Sequence, residues 1–255
     1  MRQAPAAAGM RFRAALAVVH RDRRWWLKCL GYGAAAATGL GLPLAAGFVV
    51  ESLDNSRRGY PTPLPAWSDP SLRALIGLFA LLIDVAFFVL PLLIGGALMV
   101  GVSLAFLIGG PPVAALLPWA LSAIALLTAL VLLLMFVASV APVGRLRFAR
   151  EGRIEEALDL ATLRYALTPP RRGRFLRARL ASLPAYLPAT LSAGLTWGLA
   201  PLRFPGQALV FALGIWLTMA ALVYAHLIVV QLYVAAEAEL ERGDGASASY
   251  TRACS

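Results

Sequence analysis

Charge is scarce in this chain. Only 14% of its 255 residues are charged, where a soluble domain carries about a quarter. Acid is scarcer than base, with 13 Asp and Glu against 23 Lys and Arg, a formal net charge of +10. The two cysteines, Cys29 and Cys254, are spaced as neither a metal site nor a redox pair. With two histidines in the whole chain, a His-rich metal centre is not expected either. Phosphate-binding loop, nucleophile elbow, zincin motif and paired catalytic carboxylates are all missing, so neither enzyme activity nor a cofactor is expected. No stacking platform or groove-reading motif accompanies the arginines, which argues against nucleic acid as the reason for the basic charge. No repeat of 20–50 residues is visible.

What the chain has is apolar length. Hydrophobic residues make up 60% of it, and the mean hydropathy is +0.75. Long runs nearly free of charge predict an all-α, polytopic helical membrane protein with four to six membrane segments and amphipathic interfacial helices. The segments fall at about 27–50, 73–108, 113–140, 180–199 and 207–235, within a membrane domain of 27–236. A basic segment, 1–26, precedes it, and a polar stretch, 237–255, reads as a disordered tail. In 1–26, Phe12, Leu16 and Val19 form one helical stripe, predicting an amphipathic helix on the membrane surface with Trp25 and Trp26 at headgroup depth. Prolines 61, 63, 65 and 70 exclude a regular helix through that polar connection. As one straight helix, 73–108 would be roughly 50 Å long at about 1.5 Å per residue, more than the ~30 Å hydrocarbon core. Pro91 and the Gly95–Gly96 pair are its expected breakpoints.

The arginines set the orientation. Residues 144–179 form a basic, amphipathic link, with an apolar stripe of Ile154, Ala157, Leu158, Ala161 and Tyr165 predicting a helix over 153–167. Both this link and the N-terminus belong on the cytoplasmic side of an inner (plasma) membrane. An even number of crossings must then separate them, yet 27–50, 73–108 and 113–140 count as three. Either 27–50, broken by Gly39, Gly41 and Pro43, re-enters as a hairpin, or 73–108 crosses twice. The weaker, glycine-broken first region favours the hairpin, with both termini cytoplasmic and the turns near Gly110 and Gly206 external.

A sequence of short strings appears in order: RDRRWWLKCLGYG, a Gly/Pro-interrupted apolar stretch, LPAWSD, an apolar helix with a central proline, RFAREGRIEEALDL and YAHLIVVQLY. In that order, from about Arg21 to Glu237, the chain resembles the prokaryotic membrane proteins grouped as domain of unknown function 4013. Ala66 stands where that family's LPEW string is usually acidic, and the order of His226 and Gln231 differs from its pattern. The resemblance implies a membrane protein and carries no activity.

Few polar residues remain to carry chemistry. Asp84 lies inside an apolar run, where a carboxylate costs about 2.5–3.5 kcal/mol on insertion scales and marks a functional candidate. Its bland alternative is a place near the end of its span, or a neutral hydrogen bond to another helix. His226 and Gln231 form the polar content of the last segment together with Tyr224 and Tyr233. Tyr224 shares a face with Gln231, and His226 with Tyr233; interhelical hydrogen bonding is the favoured role. Gly31, Ala35 and Gly39 predict close packing at small-xxx-small spacing. Arg145, Arg147, Arg171, Arg172 and Arg174 are candidate contacts for anionic lipid headgroups. Two functions are thus expected: a non-enzymatic assembly or lipid-interacting membrane component, or a small transporter or permease subunit using Asp84.

Overall fold

The computed structural model describes residues 12–108, 116–169, 171–202 and 205–253, and these contain helices and turns but no strand. Among the described residues, three helical stretches are long and apolar enough to cross a membrane: Pro70–Ile108, Leu117–Phe136 and Gln207–Arg242.

The first helix, α1 (Phe12–Val19), carries the expected stripe, but the stripe turns inward. Val19 is fully buried, and Phe12 and Leu16 pack against the same core. The apolar face assigned to the membrane surface is therefore spent on the protein itself, mainly against the last helix. The 27–50 region is two helices, α2 (Trp25–Ala37) and α3 (Leu42–Arg57). Gly39 has φ +75°, a conformation glycine adopts without steric cost. Pro43 sits at the start of α3, where a missing N–H is harmless. The chain doubles back there. Tyr32 and Phe48, similarly distant from the turn, stack with ring centroids 4.1 Å apart. The small residues act within the chain: a Cβ on Gly31 would lie 2.6 Å from the Trp67 ring, and one on Gly33 would lie 2.5 Å from the Ala220 backbone.

The proline-rich connection is held down by hydrogen bonds to its carbonyls. Asn55 Nδ2 donates to Pro63 O at 3.1 Å and Lys28 Nζ to Leu64 O at 3.3 Å. Arg73 is 3% exposed; it donates to Glu51 at 2.7 Å, to the Ala66 carbonyl at 2.9 Å and to the Tyr32 hydroxyl. Such a fully engaged guanidinium ties loop, hairpin and next helix into one unit.

That next helix, α4 (Pro70–Asp84), starts before the expected boundary and leads through a π-helical turn, Val85–Val89, into α5 (Leu90–Ile108). The irregularity lies just ahead of Pro91 rather than at Pro91 or Gly95–Gly96. A proline has no N–H and its ring crowds the carbonyl four residues back, so the ladder is disturbed upstream, and a π turn absorbs it. Gly95 is used differently: a Cβ there would meet the Thr128 side chain at 2.3 Å, so it lets α6 (Leu117–Val137) approach α5. Together α5 and α6 make an apolar hairpin with little buried surface.

The basic link begins with α7 (Val140–Glu151), entered through Ser139 at φ +58°. One helix over 153–167 is not formed. Instead α8 (Ile154–Leu158) and α9 (Leu160–Leu167) meet at an extended Asp159, and the Thr162 hydroxyl bonds the Glu156 carbonyl across the break at 2.7 Å. Next come α10 (Arg171–Ser182), a 3₁₀ turn at Leu183–Tyr186 containing Pro184, and α11 (Leu187–Gly198). The last helix, α12, runs Gln207–Ala253. Residue 237 is therefore not the start of a tail. Glu237 is buried and paired with Arg57 at 3.1 Å, and Leu240 is 2% exposed. These contacts continue the helix beyond its apolar stretch. α11 and the first half of α12 form a second apolar hairpin, closely packed where Gly214 meets Thr196.

Candidate functional site

The two apolar hairpins part at a cavity of about 260 Å³. Phe88 of the π turn and Phe136 of α6 wall it from the first hairpin; Tyr186, His226, Val230 and Tyr233 wall it from the segments leading into the second. Ala141, Pro142 and Arg145 of α7 lie along it, as do Asp84 and Arg179. Beyond it the hairpins do not pack extensively on each other.

Asp84 ends α4 immediately before the π turn. Its carboxylate is held by the Arg145 guanidinium, whose side chain is 13% exposed against 31% for Asp84. The sharpest intramembrane candidate and one of the candidate lipid contacts are thus a single ion pair. Arg145 therefore turns into the protein rather than out to a lipid surface. Its Nε is buried without a hydrogen-bond partner among the described residues.

Arg179 is 4% exposed and makes no ion pair with a carboxylate among the described residues. It donates from Nε to the Phe136 carbonyl at 3.1 Å and lies 4.1 Å from the centre of the Phe136 ring. Phe136 is in the last turn of α6; its carbonyl also accepts from the Ser139 N–H at 3.1 Å, and the helix dipole at this end favours a cation. Tyr186 lines the cavity beside Arg179. Tyr233 donates to Ser139 Oγ at 2.6 Å.

His226 meets the edge of the Tyr186 ring at 5.7 Å. Its Nδ1 lies 2.8 Å from the Leu222 carbonyl. A carbonyl only accepts, so Nδ1 carries the proton, which leaves Nε2 as the acceptor of the neutral ring. Asp84 and His226 share the cavity, but each has its own partner.

The remaining candidates lie elsewhere. Gln231 Oε1 accepts from Ser56 Oγ at 2.9 Å, and its Nε2 is buried without a partner among the described residues. Tyr224 reaches His20 at 2.9 Å and lies tilted against the Trp25 ring. Arg147 bonds Thr162 at 2.9 Å and lies 3.7 Å from both Glu151 and Glu156. The Arg171 guanidinium covers the Tyr165 ring at 4.3 Å. Arg172 is exposed, and Arg174 is half-buried. Arg179 and Tyr186 were missed by the sequence reading. They stand seven apart, as do His226 and Tyr233, and this shared spacing was the available signal.

A family model described as Protein of unknown function (DUF4013) matches residues 32–197. The chain belongs to this family. The match is narrower than the resemblance read from the motifs. Asp84, Arg145, Arg179 and Tyr186 fall inside the matched region of this DUF4013 member, while His226, Gln231 and Tyr233 fall outside it. No curated protein and no solved structure matches the chain.

Proposed function

We propose that this DUF4013 protein is a non-enzymatic component of the inner membrane that binds anionic lipid, crossing the bilayer four times with both termini in the cytoplasm. The crossings are α5, α6, the stretch 180–199 (the end of α10, the 3₁₀ turn and α11) and the first half of α12. In this reading α2 and α3 re-enter. At 13 and 16 residues they are shorter than the ~20 residues a crossing needs, and the second half of α3 carries Glu51, Asp54 and Arg57. Trp119 and Trp197 stand 78% and 81% exposed near the far ends of the two hairpins, a placement suited to the membrane–water interface.

The observation that carries the lipid reading is the cavity's charge. Two guanidinium groups face one carboxylate, in a pocket that is otherwise mostly apolar and sits where membrane helices part. Purified protein is expected to retain phosphatidylglycerol over phosphatidylcholine when both are offered in mixed micelles; equal retention refutes the reading. Reporter fusions at Asn55 and Gly173 are expected on the cytoplasmic side and at Leu116 and Gly206 on the other. An external Asn55 removes the re-entrant hairpin.

One observation favours the transporter reading: Asp84 lines a cavity instead of a closed interface. Against it, the carboxylate is already engaged by Arg145. Loss of a measured ion or solute flux in a folded Asp84→Asn protein is the result that would replace the first reading with the second.

A further inference from the structure

Resting on the lipid-binding reading, we propose that the cavity seats the phosphodiester headgroup of one monoanionic glycerophospholipid, anchored by Arg179, with its acyl chains outside the protein between the two hairpins.

The charge selects a monoanion. Asp84 compensates Arg145, which leaves the positive charge of Arg179 without a carboxylate among the described residues. A buried, unpaired charge is costly, and the α6 carbonyl end offsets only part of it. A phosphodiester supplies one negative charge and several acceptor oxygens, and guanidinium groups bind phosphate oxygens well.

The size selects a headgroup without its tails. A volume of about 260 Å³ lies just under the ~300–1,000 Å³ of ordinary small-molecule sites. Two acyl chains do not fit. They do not need to, because Phe136 of the first hairpin and the segments leading into the second line the cavity, and the two hairpins do not pack extensively on each other. A fatty-acid carboxylate would satisfy Arg179 and leave the space bounded by Tyr186 and His226 without a polar occupant. The glycerol part of a lipid headgroup fills it.

The test uses full-length protein in detergent and native mass spectrometry. Wild-type protein should hold one phosphatidylglycerol at about tenfold lower lipid concentration than phosphatidylcholine. Arg179→Gln should abolish that preference, and Arg164→Gln, on an exposed arginine, should leave it intact. Independently of any variant's folding, a phosphatidylglycerol analogue with a photoreactive headgroup should label peptides carrying Tyr186 or His226 in wild-type protein. Preference surviving in Arg179→Gln, or labelling confined to Arg171–Arg174, overturns the assignment while leaving anionic-lipid binding in place. Equal binding of glycerol 3-phosphate makes this a soluble-anion site, and equal binding of oleate makes it a carboxylate site; either also overturns it. A wild-type protein indifferent to lipid charge defeats the broader reading itself.

Discussion

The contact between α3 and α4 is built on two missing side chains, and alanine at either should force the helices apart. A Cβ on Gly77 would lie 1.7 Å from the Pro43 carbonyl oxygen and 2.4 Å from the Gly47 nitrogen; one on Gly47 would lie 1.8 Å from the Arg73 carbonyl oxygen. Close carbon–oxygen contacts settle at about 3.3 Å or more, so Gly77→Ala demands roughly 1.5 Å of separation. No side chain can rotate away, because the obstructing atoms are backbone. Overpacking of this kind costs about 1–3 kcal/mol and sometimes more. The separation also pulls at the Arg73–Glu51 bond and at buried Ala80 and Ile83. Alanine's helix propensity returns at most ~1 kcal/mol, so a net loss of about 1–2 kcal/mol is expected. Gly96 is the internal control, since nothing lies within 4 Å of its added Cβ. Gly96→Ala should be neutral or slightly stabilising. Thermal unfolding in one detergent should then separate two chemically identical substitutions by roughly 5–10 °C. Equal melting temperatures would refute the claim that the helices meet backbone to backbone at Gly77.

Three further outcomes are expected. Asp84→Asn leaves Arg145 half-buried without its carboxylate and should cost about 1–2 kcal/mol, discounted because Asp84 is partly exposed; adding Arg145→Gln should recover part of the loss, and a double-mutant cycle showing no coupling would contradict the pair. Leu240→Ala should cost about 2–4 kcal/mol in the same unfolding assay, although the residue lies in the stretch first read as a tail; an unchanged protein would restore that reading. For Asp22, burial works to raise the carboxyl pKa, but hydrogen bonds from Lys28 at 2.6 Å and from the Arg24 N–H at 2.8 Å outweigh it and hold it below the ordinary aspartate value. With the folded pKa depressed, the pair's stabilisation is present above the unfolded pKa and lost as pH falls through the folded one. Melting curves taken from about pH 5 down to about pH 2.5 should show an acid-side loss in wild type that is smaller in Asp22→Asn.

Much of the architecture was legible because hydropathy and helix breakers act locally. The stretch from Gly39 to Pro43 announced a turn, and a turn is there. The single acid in 73–108 marked the wall of the cavity. Three other features depended on tertiary partners. The α1 stripe has the same periodicity whether it meets lipid or α12, so the sequence alone could not separate the two. Residues 237–242 are polar enough to resemble a tail until Arg57 and the core around Leu240 are in place. Arg179 looked like one more topology-setting arginine, because its partners are a backbone carbonyl and two aromatic rings, none of which leaves a charge pattern to read.

Asp84 shows how a relocated residue changes the chemistry expected of it. Read on one uniform apolar helix, it sits far from water on both sides, and the cost of the charge points to a protonatable group. The π turn divides that helix. Asp84 closes the half that packs on α3 and α7, and the half exposed on most sides begins beyond it. A carboxylate there gains a guanidinium neighbour from the basic link, so the pair can remain charged where an isolated acid would not. The same pairing removes Arg145 from the balance of cations facing the cavity and leaves Arg179 as the unmatched one. In the lipid reading proposed above, an acidic residue that first suggested a transporter acts, through its partner, to make the cavity one for a single negative charge.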